Sequence, residues 1–149
     1  MTAREQLTEK ILAAKRRLGL KWSTIAPALG SSSIVMYTAA VLGQFPLTPE
    51  EAKRAVDLFD LDDADATLLT ESPNRGAGAV MPPTDPIIYR FYELVQNYGT
   101  TWKALIEEEF GDGIMSAIDF SMSIAREPDP KGDRVKIEMS GKFLPYKRY

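Results

Sequence analysis

The sequence predicts an α+β protein: an N-terminal bundle of short helices, then a C-terminal helix plus β-hairpin. Over residues 1–70, apolar residues recur at helical intervals between capping signals. A proline- and glycine-rich run, "ESPNRGAGAVMPPTDP" at 71–86, interrupts that periodicity and reads as a linker. Beyond it, two stretches near the C-terminus alternate apolar and polar residues at period two. The division so drawn assigns residues 1–75 to the helical part and 76–149 to the mixed part.

Thr2 and Glu5 have capping-box spacing, and Leu7, Ile11, Ala14 and Leu18 repeat on one face, so a first helix runs to about Arg17 and stops near Gly19. "WSTIAPALG" predicts a short second helix with Ser23 as cap and Gly30 as stop. "SSIVMYTAAVLGQ" predicts a third, almost wholly apolar and therefore expected to be buried. "LTPEEAKRAVDLFDL" opens with Thr48 as cap, Pro49 at the first helical position and Glu51 closing a capping box. "DADATLLTE" completes five helices. After the linker, Asp85 and Pro86 open a helix expected to end at Gly99, and Thr100 or Thr101 caps another that stops at Gly111. "SAIDFSMSIA" and "RVKIEMSGKF", joined by "REPDPKGD", form the hairpin. Two strands alone are marginal in water, so the C-terminal half is expected to be an intersubunit structure.

Composition narrows the chemistry. The 149 residues contain no His and no Cys, which removes the usual zinc site, the Ser-His-Asp triad and the thiolate nucleophile. Carboxylates, Arg, Lys, hydroxyls and backbone donors remain, a kit suited to positioning and electrostatics. The net charge of −3 is spread evenly along the chain, without the basic footprint of a nucleic-acid binder. Helix, short helix, glycine-containing turn and helix outline a helix-turn-helix, yet residues 32–44 offer only Gln44 to reach bases or phosphates. No apolar run approaches the length of a membrane span, and the charged "MTAREQLTEK" lacks a secretory core, so a cytoplasmic protein is expected.

Within "IIYRFYELVQNYG", residues 87–99, Ile87, Phe91, Leu94, Val95 and Tyr98 share a face bordered by a narrow stripe of Arg90, Glu93 and Asn97. On spacing alone, Arg90 and Glu93 make a solvated i, i+3 pair worth a few tenths of a kcal/mol. However, "PTDPIIYRFYELVQNYGTTWKALIEEEFGDGIMSAIDF" at 83–120 resembles the signature of the cyanase family, the cyanate hydratases or cyanate lyases. The likeness continues through "PDPKGDRVKIEMSGKFLPYKRY" and, more loosely, through "AAKRRLGLKWSTIA", "TAAVLGQ" and "LTPEEA".

The resemblance implies an N-terminal domain similar to phage-repressor folds but not used on DNA. It implies a C-terminal catalytic domain, 76–149, intertwined with its twofold mate, five such dimers making a homodecamer with active sites between subunits. It implies bicarbonate-dependent decomposition of cyanate to ammonia and carbon dioxide through carbamate, with bicarbonate as co-substrate and no cofactor or metal. The family's catalytic Arg, Glu and Ser fall on Arg90 and Glu93 of "YRFYE" and Ser116 of "GIMSAI".

Residue chemistry agrees. Two small anions repel, and a guanidinium that keeps its proton and presents planar donors suits their anchoring, which assigns that role to Arg90. Glu93 orients Arg90 or relays a proton. Ser116, after the sharp turn at "GDG", either holds a substrate oxygen or is a strand-start serine satisfied by backbone. The alternative for the whole chain is a helix-turn-helix regulator with a small-anion-sensing C-terminal domain.

Overall fold

The computed structural model describes residues 1–76 and 79–149; Ala77 and Gly78 of the expected linker lie outside them. The elements are α1 (Ala3–Arg17), α2 (Trp22–Leu29), α3 (Ile34–Val41), α4 (Pro49–Phe59), α5 (Asp63–Thr70), α6 (Pro86–Phe110), β1 (Gly113–Glu127) and β2 (Arg134–Pro145). They form an α+β chain of two compact units, Met1–Ala77 and Gly78–Tyr149. Residues 71–76 and 79–85 carry no helix or strand.

In the first unit each helix contributes its apolar stripe to one core. Leu7 and Ile11 of α1, Ile25 and Leu29 of α2, Val41 of α3, Phe59 of α4 and Leu69 of α5 are all fully or almost fully buried. Capping boxes close on Thr2 and Glu5, Thr48 and Glu51, and Asp62 and Asp65, satisfying orphan amides at three helix starts. Polar groups tie the helices together. Arg4 donates from Nη2 to the Ala40 carbonyl at the end of α3, 2.6 Å away. Lys10 of α1 pairs with Asp62 and Asp65 at the start of α5. Tyr37 donates to Glu51, and Arg54 donates to the Leu29 carbonyl. Burial pushes the Glu51 carboxyl up, but hydrogen bonds from Tyr37 and Thr48 outweigh it and leave the group below its ordinary range. The Glu51 hydrogen bond, with burial adding to it, holds the Tyr37 hydroxyl above its ordinary range.

Two expectations need correction here. Ser23 does not cap α2, which begins one residue earlier, with Lys21 at the cap and no side-chain hydrogen bond there. The third helix is shorter than its apolar run and only partly buried: Tyr37, Ala40 and Val41 face the core, whereas Ile34 and Met36 face outward. With eight residues, only one stripe of α3 can meet the core. Helices α2 and α3 meet at 89°, a helix-turn-helix outline. Its second helix bears no Lys or Arg. Among the described residues, no single helix is long and apolar enough to cross a membrane.

The second unit is built differently. One helix, α6, runs unbroken for 25 residues through Gly99, so the two shorter helices expected there are one. A Cβ at Gly99 would meet nothing closer than Val95 at 3.7 Å, and a mid-helix glycine costs only about 0.5–1 kcal/mol relative to alanine. That penalty does not stop the helix, even though the adjacent Asn97, Tyr98, Thr100 and Thr101 are only middling formers; stronger ones stand further off, in "ELVQ" and "KALIEEE". Strands β1 and β2 pair antiparallel, Gly113 opposite Pro145 at one end and Glu127 opposite Arg134 at the other. No residue of α6 is buried, and the hairpin does not pack along it. Phe110 meets Phe143 at 5.2 Å between ring centroids, where helix gives way to sheet.

Candidate functional site

The start of α6 is set by local chemistry. Asp85 accepts the amides of Ile87 and Ile88 at 2.9 and 3.1 Å, and Pro86, which has no amide to satisfy, occupies the first turn. This start fixes the carbonyl of Pro86 one turn before Arg90. Arg90 Nε donates to that carbonyl at 3.2 Å, and Nη1 donates to Glu93 Oε2 at 2.8 Å. The guanidinium carbon lies 5.5 Å from the Tyr89 ring centroid. Two tethers therefore hold the guanidinium plane, and among the described residues Nη2 donates to none.

In the single chain the Arg90 and Glu93 side chains are 62% and 41% exposed, so as a plain ion pair they contribute at most about 1 kcal/mol. Around them stand Ile87, Phe91, Leu94, Val95 and Tyr98, all exposed. The polar pair thus borders an uncovered apolar face.

Ser116 lies in β1, three residues inside the strand rather than at its start. It is 5% exposed and is the one buried residue of the second unit among the described residues. Its Oγ accepts the amides of Ile118 and Asp119 at 3.0 and 2.9 Å. Arg90 and Glu93 are thus brought together, whereas Ser116 hydrogen-bonds to neither. The register jumps beside it, from Met115 opposite Phe143 to Phe120 opposite Gly141. Neither this bulge nor Gly141 was singled out from the sequence, although a glycine inside a strand pattern is the signal for one.

Among the described residues, no three acidic side chains converge as a metal site would require. A cavity of about 600 Å³ in the first unit, lined by Arg4, Thr8, Gly43, Gln44 and Glu71 among others, includes none of Arg90, Glu93 and Ser116.

Residues 4–73 match the family description "Cyanate hydratase, N-terminal", and residues 80–148 match "Cyanate lyase C-terminal domain". The chain is 58% identical to the cyanate hydratase of Methylibium petroleiphilum over 147 residues, covering 99% of both chains. It is 56% identical to that of Polynucleobacter asymbioticus, covering 98% of this chain and 99% of the relative. The crystal structure of cyanase from T. urticae superposes with a TM-score of 0.81 at 37% identity, covering 93% of this chain and 96% of that one. Both units, the α+β architecture and nearly the whole length are accounted for in one set of relatives, and the chain is an enzyme belonging to the cyanate hydratase family.

Proposed function

We propose that this enzyme decomposes cyanate in the cytoplasm with bicarbonate as co-substrate, releasing ammonia and carbon dioxide. Arg90, Glu93 and Ser116 form the working set, and no metal or organic cofactor takes part. The observation that carries the reading is the doubly tethered guanidinium of Arg90 on the stripe it shares with Glu93.

The steps follow from charge and bonding. A bicarbonate oxygen forms a bond to the cyanate carbon, and two protons, the bicarbonate's own and one from solvent, pass to the cyanate nitrogen. The bond between the bridging oxygen and the bicarbonate carbon then breaks, releasing carbon dioxide and leaving carbamate. Carbamate takes up a further proton and separates into ammonia and a second carbon dioxide. Holding two anions within bonding distance is the costly part, and fixed positive charge in a water-excluded site lowers that cost. Arg90 anchors the anions, Glu93 keeps its fork in plane, and Ser116 donates to a substrate atom.

Such a site needs walls, and the exposed apolar face of α6 supplies the reason for assembly. Covering Ile87, Phe91, Leu94 and Val95 with other copies of the chain would remove Arg90 and Glu93 from water. A homo-oligomer with sites between subunits, a decamer of five intertwined dimers, is therefore part of the proposal. The test is ammonia release from purified protein given cyanate alone, bicarbonate alone, and both. Release only with both supports the reading; equal release with cyanate alone contradicts it. The regulator alternative has the helix-turn-helix outline of α2 and α3 in its favour, but α3 presents Ile34 and Met36 rather than the basic side chains a DNA reader needs.

A further inference from the structure

The hairpin register breaks once. Met115 stands opposite Phe143 and Phe120 opposite Gly141, so residues 116–119 of β1 face Lys142 alone. An insertion of this kind bends the strand and re-aims the side chains within it. Ser116 opens the insertion, and its Oγ folds back to accept two amides of the same segment, those of Ile118 and Asp119. A hydroxyl oxygen has two lone pairs and one proton. Both lone pairs are engaged here, and among the described residues the proton is donated to none. A hydroxyl held this way is a weak base and a weak nucleophile, but a directed hydrogen-bond donor. Because it is buried, it keeps its direction without reorganising when charge arrives.

The facing strand makes room for this arrangement. A Cβ built on Gly141 would lie 2.6 Å from Met115 Cγ and closer still to the carbonyl oxygen of Ser116. The φ of Gly141 is not in the left-handed region, so glycine is required there by space rather than by torsion. Any side chain at 141 would push on the backbone of Ser116 itself.

We propose that Gly141 is a positioning residue for the reaction: its missing side chain lets the β1 bulge close, which presents the Ser116 hydroxyl as a donor to an anionic substrate. This rests on the reading above that Ser116 contacts substrate. Gly141 itself touches neither substrate nor the reacting atoms and acts only through Ser116.

The test is a double-mutant cycle on the full-length oligomer, with ammonia release for kinetics and sedimentation for assembly. Ser116→Ala should lower kcat by about two orders of magnitude, the loss typical of a single transition-state donor. Gly141→Ala should assemble like the wild type yet lose at least about tenfold in kcat, more than it changes KM, since a misplacement of about 1 Å is that costly. The double variant should lie within about twofold of Ser116→Ala alone, because the second change has nothing left to misplace. A merely structural glycine would instead give additive losses. Additivity, or a Gly141→Ala variant as active as the wild type, overturns the proposal while leaving Ser116 in the chemistry. A fully active Ser116→Ala would remove the serine from the reaction, which is failure of the underlying reading.

If Gly141→Ala does not assemble, a crystal of the wild type soaked in bicarbonate decides. An anion oxygen accepting from Ser116 Oγ, with the Ile118 and Asp119 amides still directed at that atom, supports the proposal. An anion at Arg90 beyond hydrogen-bond reach of Ser116, or a serine that has released those amides, overturns it.

Discussion

The two units of this chain solve the problem of folding in opposite ways. In the first, five short helices bury Leu7, Ile11, Ile25, Leu29, Phe59 and Leu69 against one another, and polar ties such as Tyr37 to Glu51 lock the arrangement. In the second, a 25-residue helix and a hairpin leave Ile87, Phe91, Leu105, Phe110 and Ile118 in the open, with only Ser116 buried among the described residues. A two-stranded ribbon and one helix do not enclose a core, and exposed apolar surface on this scale is what the proposed assembly would cover. The difference teaches where a chain places its chemistry. The first unit closes its own core and carries none of the proposed site. The incomplete unit carries all three candidate residues, Arg90, Glu93 and Ser116, and under the proposed function other copies of the chain would wall them from water.

The comparison breaks most severely if the second unit can work alone. Ile118 is 98% exposed, and Ile118→Asp should prevent assembly and with it all measurable ammonia release. Sedimentation would then show species near the 16.6 kDa of one chain. An active species of that mass would mean that the second unit needs no walls.

The next effect is chemical. Arg90→Lys keeps the charge but loses the planar fork, and turnover should fall by about two to three orders of magnitude in an intact oligomer. Glu93→Gln tests how the pair divides the work. If Glu93 mainly orients Arg90, combining both changes should be little worse than Arg90→Lys alone; additive losses would assign Glu93 an independent proton role. Near wild-type turnover from Arg90→Lys would return the pair to the ordinary surface interaction that its exposure in the single chain suggests.

A third experiment sets the two kinds of apolar residue side by side. Phe59→Ala should lower stability of the first unit by about 3–5 kcal/mol at any protein concentration, since its contacts are internal. Phe91→Ala should lower stability by an amount that depends on protein concentration, as interface contacts do. Chemical unfolding at two concentrations separates them, and identical concentration dependence for both would erase the distinction.

The smallest effect concerns the polar lock. Tyr37→Phe should cost about 1–2 kcal/mol, the worth of one hydrogen bond to a charged group in a partly buried setting. The folded Glu51 pKa lies below its unfolded value, so its contribution is present above about pH 4.3 and is lost as pH falls through the folded value. The folded Tyr37 pKa lies above its unfolded value, so that contribution is present below about pH 10 and is lost as pH rises through the folded value. In Tyr37→Phe the acid-side loss should shrink and the tyrosine part of the alkaline-side loss should vanish. Unchanged pH dependence in unfolding titrations would show that the hydrogen bond does not stabilise the fold.

Much of the architecture is local chemistry and was therefore legible in the sequence. Thr48, Pro49 and Glu51 write the start of α4, Asp85 and Pro86 write the start of α6, and period-two alternation writes both strands. Caps and alternation act between residues a few positions apart, so no distant contact is needed to read them. The Arg90 and Glu93 pair is legible for the same reason: i, i+3 spacing on a helix brings the two side chains together. The family likeness then attached chemistry to residues that spacing alone leaves ambiguous. What the sequence did not determine depends on weak local signals competing with tertiary ones. Gly99 looks like a helix stop, but its penalty is modest beside the helix-forming "ELVQ" and "KALIEEE" segments on either side, and α6 continues. Which stripe of α3 is buried was decided by where the other helices stand. The bulge at Ser116 was decided across the hairpin: four residues of β1 face one of β2, and the chain closes there only because position 141 has no side chain. Strand alternation cannot announce such an offset, because each strand keeps its period on either side of it. The register is a property of the pair.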